Sequence, residues 1–265
     1  MRRIVTKRRI VAVSAAALSL LILAGTASAV KVKLRLGDIV ITGQGGFKPK
    51  ALPKYRNAPI SIHGGGRIDT ISGELPPVIR DINFEFDRHG SVVTKGLPAC
   101  TAGKLQATTV PAARKRCPGA IVGKGFGRGV IAFPEQAPIP ASSPITIFNG
   151  PRKGRNYSVF AHFYTTVPAP TAFVIPIVIQ KIRRGIYGYR TEARIPPIAG
   201  GNGIPLSGHL KIGRRWKFKG KRYSYINARC ETGRLQARGE FAFRDGTLLR
   251  GTFFEPCKVR DTRRR

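Results

Sequence analysis

Acids and histidines are scarce in this 265-residue sequence: thirteen Asp and Glu stand against forty-seven Lys and Arg, and there are four His. The histidines, His63, His89, His162 and His209, form no His-Glu-x-x-His and no close pair, so a local zinc site lacks its ligand set. No Gly-x-Ser-x-Gly elbow is present to supply a nucleophile. His63-Gly64-Gly65-Gly66, which looks like an esterase oxyanion tripeptide, therefore reads as a flexible glycine turn after the strand PISIH. In GKGFGRG, Gly123, Gly125, Gly127 and Gly129 are spaced by two, and no amphipathic helix follows. A phosphate loop needs Gly-x-Gly-x-x-Gly between a strand and a helix, so this segment reads instead as a strand with one bare face open to another backbone. Helical periodicity is also scarce. Its best instance is Val110 to Arg116, with Thr109 as N-cap and Pro111 in the first turn. No cofactor signature is found.

What is present begins with an export leader. Arg2, Arg3, Lys7, Arg8 and Arg9 precede an apolar run from Ile10 to Ala24, and Ala27-Ser28-Ala29 closes the segment. These are the parts of a secretory signal peptide. A membrane anchor needs about 20 apolar residues, and this run has 15. Cleavage is expected after Ala29, and Val30 rather than Cys follows, so the usual lipoprotein anchor is absent. Thr6 to Val11 has a twin-arginine-like look, but the strongly apolar run suits general secretion better. No second apolar stretch approaches spanning length.

Removing residues 1–29 leaves 236 residues, enough for a large single domain with a real core. The formal charge falls from +34 to +29. Charge of this size bears on partners and solubility rather than on fold. Outside the cytoplasm the anionic candidates are envelope polymers, lipid headgroups and released nucleic acid. The basic residues are spread along the whole chain, so a generally cationic surface with no single ligand carries equal weight. Four cysteines lie in the exported part, Cys100, Cys117, Cys230 and Cys257, and an even count in an oxidising compartment reads as two disulfides. Three connectivities are possible.

Short runs alternate apolar and polar residues with period two, the mark of half-buried strands. VKVKLRL (30–36) sets Val30, Val32, Leu34 and Leu36 against Lys31, Lys33 and Arg35. INFEFD (82–87) sets Ile82, Phe84 and Phe86 against Asn83, Glu85 and Asp87. YSVFAHFY, FVIPIVI and GYRTEARI continue the pattern, with His162 read as a packed strand residue among Phe160, Phe163 and Tyr164. Pro- and Gly-bearing stretches at 134–144 and 196–205 read as long connections. The expected fold is all-β: an antiparallel β-sandwich or partly open barrel with one short helix. Its domain spans 30–257, and a basic disordered tail, KVRDTRRR, follows at 258–265.

Two stretches are candidates for function. Asp81, Glu85 and Asp87 share a strand face, and glycosidase chemistry needs two carboxylates within several ångströms. The favoured reading makes them the solvated side of their strand, with Arg80 and Arg88 as near partners. RRWKFKGKRYSY (214–225) reads as a hairpin turning at Gly220. With a Gly220-Lys221 loop, Phe218 faces Tyr223 and Trp216 faces Tyr225. A Lys219-Gly220 loop shifts the register by two and keeps the same side chains on that face. Arg215, Lys217, Lys219 and Arg222 occupy the other face. Exposed, the aromatic face would stack sugars or single-stranded nucleic acid, for which Trp216 and Tyr225 must be accessible. The favoured reading buries it and leaves the basic face to meet an anionic surface without specificity.

The octapeptides CTAGKLQA (100–107) and CETGRLQA (230–237) nearly repeat. Each offers one Cys and no His, so neither is a metal site. GRLQARGEFAF and TLLRGTFFE form a hairpin turning at Asp245-Gly246, which places Cys230 and Cys257 at its open end. Cys100 opens a comparable strand, GKLQATT, and the short helix returns the chain to Cys117. This local logic favours the pairs Cys100–Cys117 and Cys230–Cys257.

GLPACTAGKLQATT, ARKRCPGAIVGKG, FNGP, IPPIAGGNG, KGKRYSYINARC and FRDGT…PCK, taken in order over residues 75–258, resemble a family of uncharacterised exported proteins of actinobacteria. The resemblance implies secretion, a β-rich fold and two disulfides, and it carries over no functional residue. The sequence therefore points to a secreted, non-enzymatic, cationic β-protein that meets an anionic envelope polymer or lipid surface. A polysaccharide-active hydrolase using carboxylates gathered by the fold is the alternative.

Overall fold

A computed structural model describes residues 30–260. Residues 1–29, read from the sequence as a leader, and the last five residues of the basic tail lie outside the described residues. The alternating stretches fold as β1 (Val30–Leu36), β2 (Ile39–Lys48), β3 (Ala51–Pro53), β4 (Ala58–Thr70), β5 (Ile79–Asp87) and β6 (Gly90–Val92). Two helices follow, α1 (Ala102–Leu105) and α2 (Val110–Arg116), and then β7 (Ile121–Ile131), β8 (Ile139–Asn149), β9 (Tyr157–Thr165), β10 (Thr171–Arg184) and β11 (Tyr187–Arg194). The remainder forms β12 (Gly203–Ile212), β13 (Arg215–Phe218), β14 (Lys221–Ser224), β15 (Ile226–Ala228), β16 (Arg234–Phe243), β17 (Leu248–Pro256) and β18 (Lys258–Arg260).

The main sheet runs β1-β2-β4-β12-β7-β8-β9-β10-β11-β5-β16-β17, and every pairing along it is antiparallel. It curls almost to closure as a barrel. The end strands β1 and β17 meet through side chains rather than a ladder, with Leu34 against Gly251, and Phe253 of β17 reaches on to Gly43 of β2. Inward positions of the strands form the core, including Ile41, Phe47, Ile79, Ile147, Val159, Ile175 and Phe243, all buried. Each such side chain contributes about 1.5–3 kcal/mol on burial. The fold is thus all-β, as the alternation predicts.

Both disulfides pair as the sequence favours, Cys100 with Cys117 and Cys230 with Cys257. The α2 helix starts on a Thr109 hydroxyl that accepts from Ala112 N–H. His162, fully buried on β9, holds this corner through Nε2, 3.0 Å from the Thr108 carbonyl. Arg114 of α2 donates to Thr146 on the neighbouring strand β8 at 2.8 Å.

Four expectations are corrected. Ala102–Leu105 of the first octapeptide is a helical turn, not a strand, because Leu105 is drawn into an apolar pocket with Cys100, Ala113, Cys117 and Phe148. The second copy is strand β16, which has β5 and β17 as partners on either side. His63-Gly64-Gly65-Gly66 is no turn: it lies inside β4, laddered to β2 and β12. Residues 139–144 of the first long connection belong to β8, since Pro140 and Pro144 fit where other backbone groups carry the ladder to β7. Lys258–Arg260, assigned to the disordered tail, pairs in parallel with β3 just beyond the anchored Cys257.

Candidate functional site

The hairpin at 214–225 turns at Lys219-Gly220, both in the left-handed region with φ of 48° and 72°. Trp216 therefore lies opposite Tyr223, with ring centroids 5.9 Å apart, and Phe218 lies opposite Lys221. Tyr225 pairs back to Arg214 and is buried in the main core, where burial raises its phenol far above the ordinary range. Trp216 packs on the same cluster and donates its indole N–H to the Lys95 carbonyl at 3.1 Å. Phe218 lies directly on Gly96, which has room for no side chain. The aromatic face is thus turned to the protein, and Tyr225 is no stacking partner for a ligand. Arg215, Lys217, Lys219 and Arg222 are exposed on the opposite face.

The carboxylates of β5 are brought together with others, but Asp81 and Glu85 are covered by guanidinium groups and Asp87 by an imidazole. Glu85 is buried, not solvated as its alternation suggests. It accepts from Arg238 of β16 and lies 3.4 Å from Arg190 and 3.5 Å from Arg184. Arg190 also holds Glu192 at 2.8 Å and Glu240 at 3.8 Å. The hydrogen bond from Arg250, joined by Asn83 and the charge of Arg190, keeps the Glu240 carboxyl below its usual range despite partial burial. Asp81 meets Arg80 and Arg194. Asp87 faces His89 Nδ1 at 2.8 Å, while Glu231 faces its Nε2 at 2.9 Å, so neither imidazole nitrogen is left to face a substrate. This arrangement ties β5 to the Cys230 segment and offers no free acid–base pair.

The charges are sorted by the fold. Strands β5, β11, β16 and β17 hold six acids (Asp81, Glu85, Asp87, Glu192, Glu240, Glu255) and six arginines, a neutral wall. The neighbouring strands β1, β2, β4, β12 and β7 hold eight cations and one acid, Asp69, a net charge of +7. The cations are Lys31, Lys33, Arg35, Lys48, Arg67, Lys124, Arg128 and Lys211, and all eight are exposed. Their positions alternate with core residues such as Leu210 and Ile212, so they share the outer face. Arg67 is paired with Asp69 at 2.5 Å. Among the described residues Lys31, Lys33, Lys124, Arg128 and Lys211 meet no carboxylate.

Register builds a groove on this face. One row runs Lys31, Gln44, Gly65, His209, Phe126 across the five strands, and the next runs Lys33, Thr42, Arg67, Ser207, Arg128. All but Lys33 line a depression of about 440 Å³ with Gly65 in its floor. The Gly65 position admits no larger residue, because a Cβ there would lie 2.6 Å from the Gly208 carbonyl. Phe126 and His209 lie nearly parallel, 6.3 Å apart, and the Arg128 guanidinium sits 5.6 Å from the Phe126 ring. In the row beyond, His63 lies between Gly46 and Lys211. Burial first, then the charges of Lys50, Lys48 and Lys211, push its imidazole below the usual range, which registers the positive field of this wall.

No known family description matches the chain, and no curated protein and no solved structure does so either. Among the described residues no helix is long and apolar enough to cross a membrane.

Proposed function

We propose that the chain is an exported, disulfide-tied β-protein that acts by binding, holding to an anionic polymer of the cell envelope. The observation that carries this reading is the sorting of charge: +7 on the β1-β2-β4-β12-β7 face against a balanced wall beside it. A continuous strand face carrying one sign of charge raises the local concentration of a polyanion. Export through the leader at 1–29, and kinship with the exported actinobacterial proteins resembled over 75–258, belong to the same proposal. A hydrolytic role finds less support, since the gathered carboxylates are engaged by arginines or, for Asp87, by His89.

The test is retention on purified cell envelopes as salt is raised. Counterion release makes log affinity fall linearly with log salt, with a slope of about −0.7 to −0.9 per contacted anion. Changing Lys31, Lys33, Lys124 and Lys211 to Glu is expected to abolish retention. Absence of retention by the native protein even at low salt ends the reading.

A further inference from the structure

The groove differs from the rest of the basic face in carrying neutral hydrogen-bonding groups and one aromatic platform between its cations. At one end the Phe126 ring stands beside His209, with Arg128 poised near it. In the middle, bare Gly65 lets a ligand approach the sheet between the exposed Thr42 and Gln44 on one side and Ser207 on the other. Lys31 closes the far end. Five strands spaced about 4.8 Å apart give it a length of about 19 Å.

Each candidate polyanion asks for a different surface. A bilayer needs several apolar side chains projecting into it, and this recessed groove offers Phe126 alone. Single-stranded nucleic acid is held by successive aromatic side chains, one for each stacked base, and here there is a single aromatic position. A sugar chain has ring faces for one platform, hydroxyls for Thr42, Gln44 and Ser207, and acidic substituents for the cations at intervals. We propose that this groove is a subsite for a linear anionic polysaccharide, with one sugar ring on Phe126 and its acidic groups at Arg128, Arg67 and Lys31. The assignment rests on the reading of the basic face as a polyanion-binding surface and names the class of ligand and the residues that select it.

The experiment uses the folded, oxidised protein purified after export and polygalacturonate as the probe, titrated calorimetrically at about 50 and about 200 mM salt. Single-stranded oligonucleotide and phosphatidylglycerol vesicles are the competing probes. Phe126→Ala is expected to weaken polygalacturonate binding by about tenfold, the loss of one stacking contact, with the salt slope unchanged. Phe126→Leu keeps the apolar volume without the ring face and is expected to show the same loss, which separates stacking from damage to the fold. Arg67→Gln with Arg128→Gln should weaken binding and flatten the salt slope, while the charge-matched pair Lys153→Gln with Arg155→Gln, exposed in the connection between β8 and β9, should leave both near native. Equal loss from the two charge pairs, with no effect of Phe126→Ala or Phe126→Leu, overturns the groove but leaves the electrostatic face standing. Tighter binding of oligonucleotide or vesicles through the same residues overturns the glycan assignment. No binding of any probe at the lower salt removes both readings together.

Discussion

Gly125 is the point at which the barrel wall is most sensitive to a single added carbon. A Cβ at Gly125 would run into the His209 carbonyl and lie 2.5 Å from Leu210 Cδ2, where carbon contacts ordinarily begin at about 3.5 Å. Gly125→Ala must therefore push β12 away from β7 by about 1 Å. Overpacking of this kind costs about 1–3 kcal/mol, and each ladder hydrogen bond lost adds about 1 kcal/mol. The expected total is about 3 kcal/mol. Gly208, on the facing strand, is the internal control: a Cβ there has the Phe126 carbonyl at 3.5 Å as its nearest neighbour. Gly208→Ala should be neutral or stabilise by up to about 1 kcal/mol, because alanine loses less freedom on folding. Unfolding entropy of about 2.1 cal/mol/K per residue over the 231 described residues gives about 0.5 kcal/mol per degree. The melting midpoint should thus fall by about 6 °C for Gly125→Ala and rise by up to about 2 °C for Gly208→Ala. Far-UV circular dichroism melts of the oxidised protein read both. Equal midpoints would refute the reasoning that β7 is bare because β12 lies against it. Since the obstructing carbonyl is that of His209, Gly125→Ala should also separate His209 from Phe126, seen as a change in the His209 ring proton shifts.

Two further outcomes follow from named groups. Burial, opposed by the bonds to Thr108 and Leu105, holds the His162 imidazole below its ordinary value of 6.5. The unfolded chain therefore takes up a proton that the folded protein refuses: stability is whole above that value and is lost as pH falls toward the folded pKa, by at most about 1.4 kcal/mol per pH unit. Urea melts between pH 7 and 5 should show this slope, and His162→Gln should remove it; parallel curves for the two proteins would dismiss the role. Cys230 and Cys257 are 27 residues apart and Cys100 and Cys117 are 17 apart, so paired Ser substitutions should cost about 3.5 and about 3 kcal/mol in the chain-entropy account. Free thiols in the denatured, non-reduced native protein would contradict both bridges.

The period-two alternation made the strands legible, since on an extended backbone it alone decides which side chains share a face. It placed Lys31, Lys33 and Arg35 together on β1, and it made Gly123, Gly125, Gly127 and Gly129 a single bare face. Disulfide partners were legible for a related reason: the turn at Asp245-Gly246 folds a hairpin back on itself and returns Cys257 to Cys230. Burial of the aromatic face at 214–225 followed from the same logic of cross-strand pairs.

What alternation could not supply was the order of strands in the sheet. The basic wall takes β1, β2 and β4 from one end of the chain, β7 from its middle and β12 from beyond residue 200. Eight cations from distant parts of the sequence become one face only when those strands are laid side by side. The same long-range pairing turned Glu85 from a solvated carboxylate into a buried one, because Arg190 and Arg238 arrive on β11 and β16. It also gave the two Leu-Gln-Ala octapeptides opposite conformations: one lacked a strand partner and closed as a helical turn over an apolar pocket, while the other had a partner on each side. The sequence by itself determined most of the strands, the faces of each of these and the pairs of cysteines, all of which depend on near neighbours. Tertiary structure alone decided the charge-sorted wall and the groove of Phe126, His209 and Arg128, because backbone ladders between distant segments set which faces become adjacent.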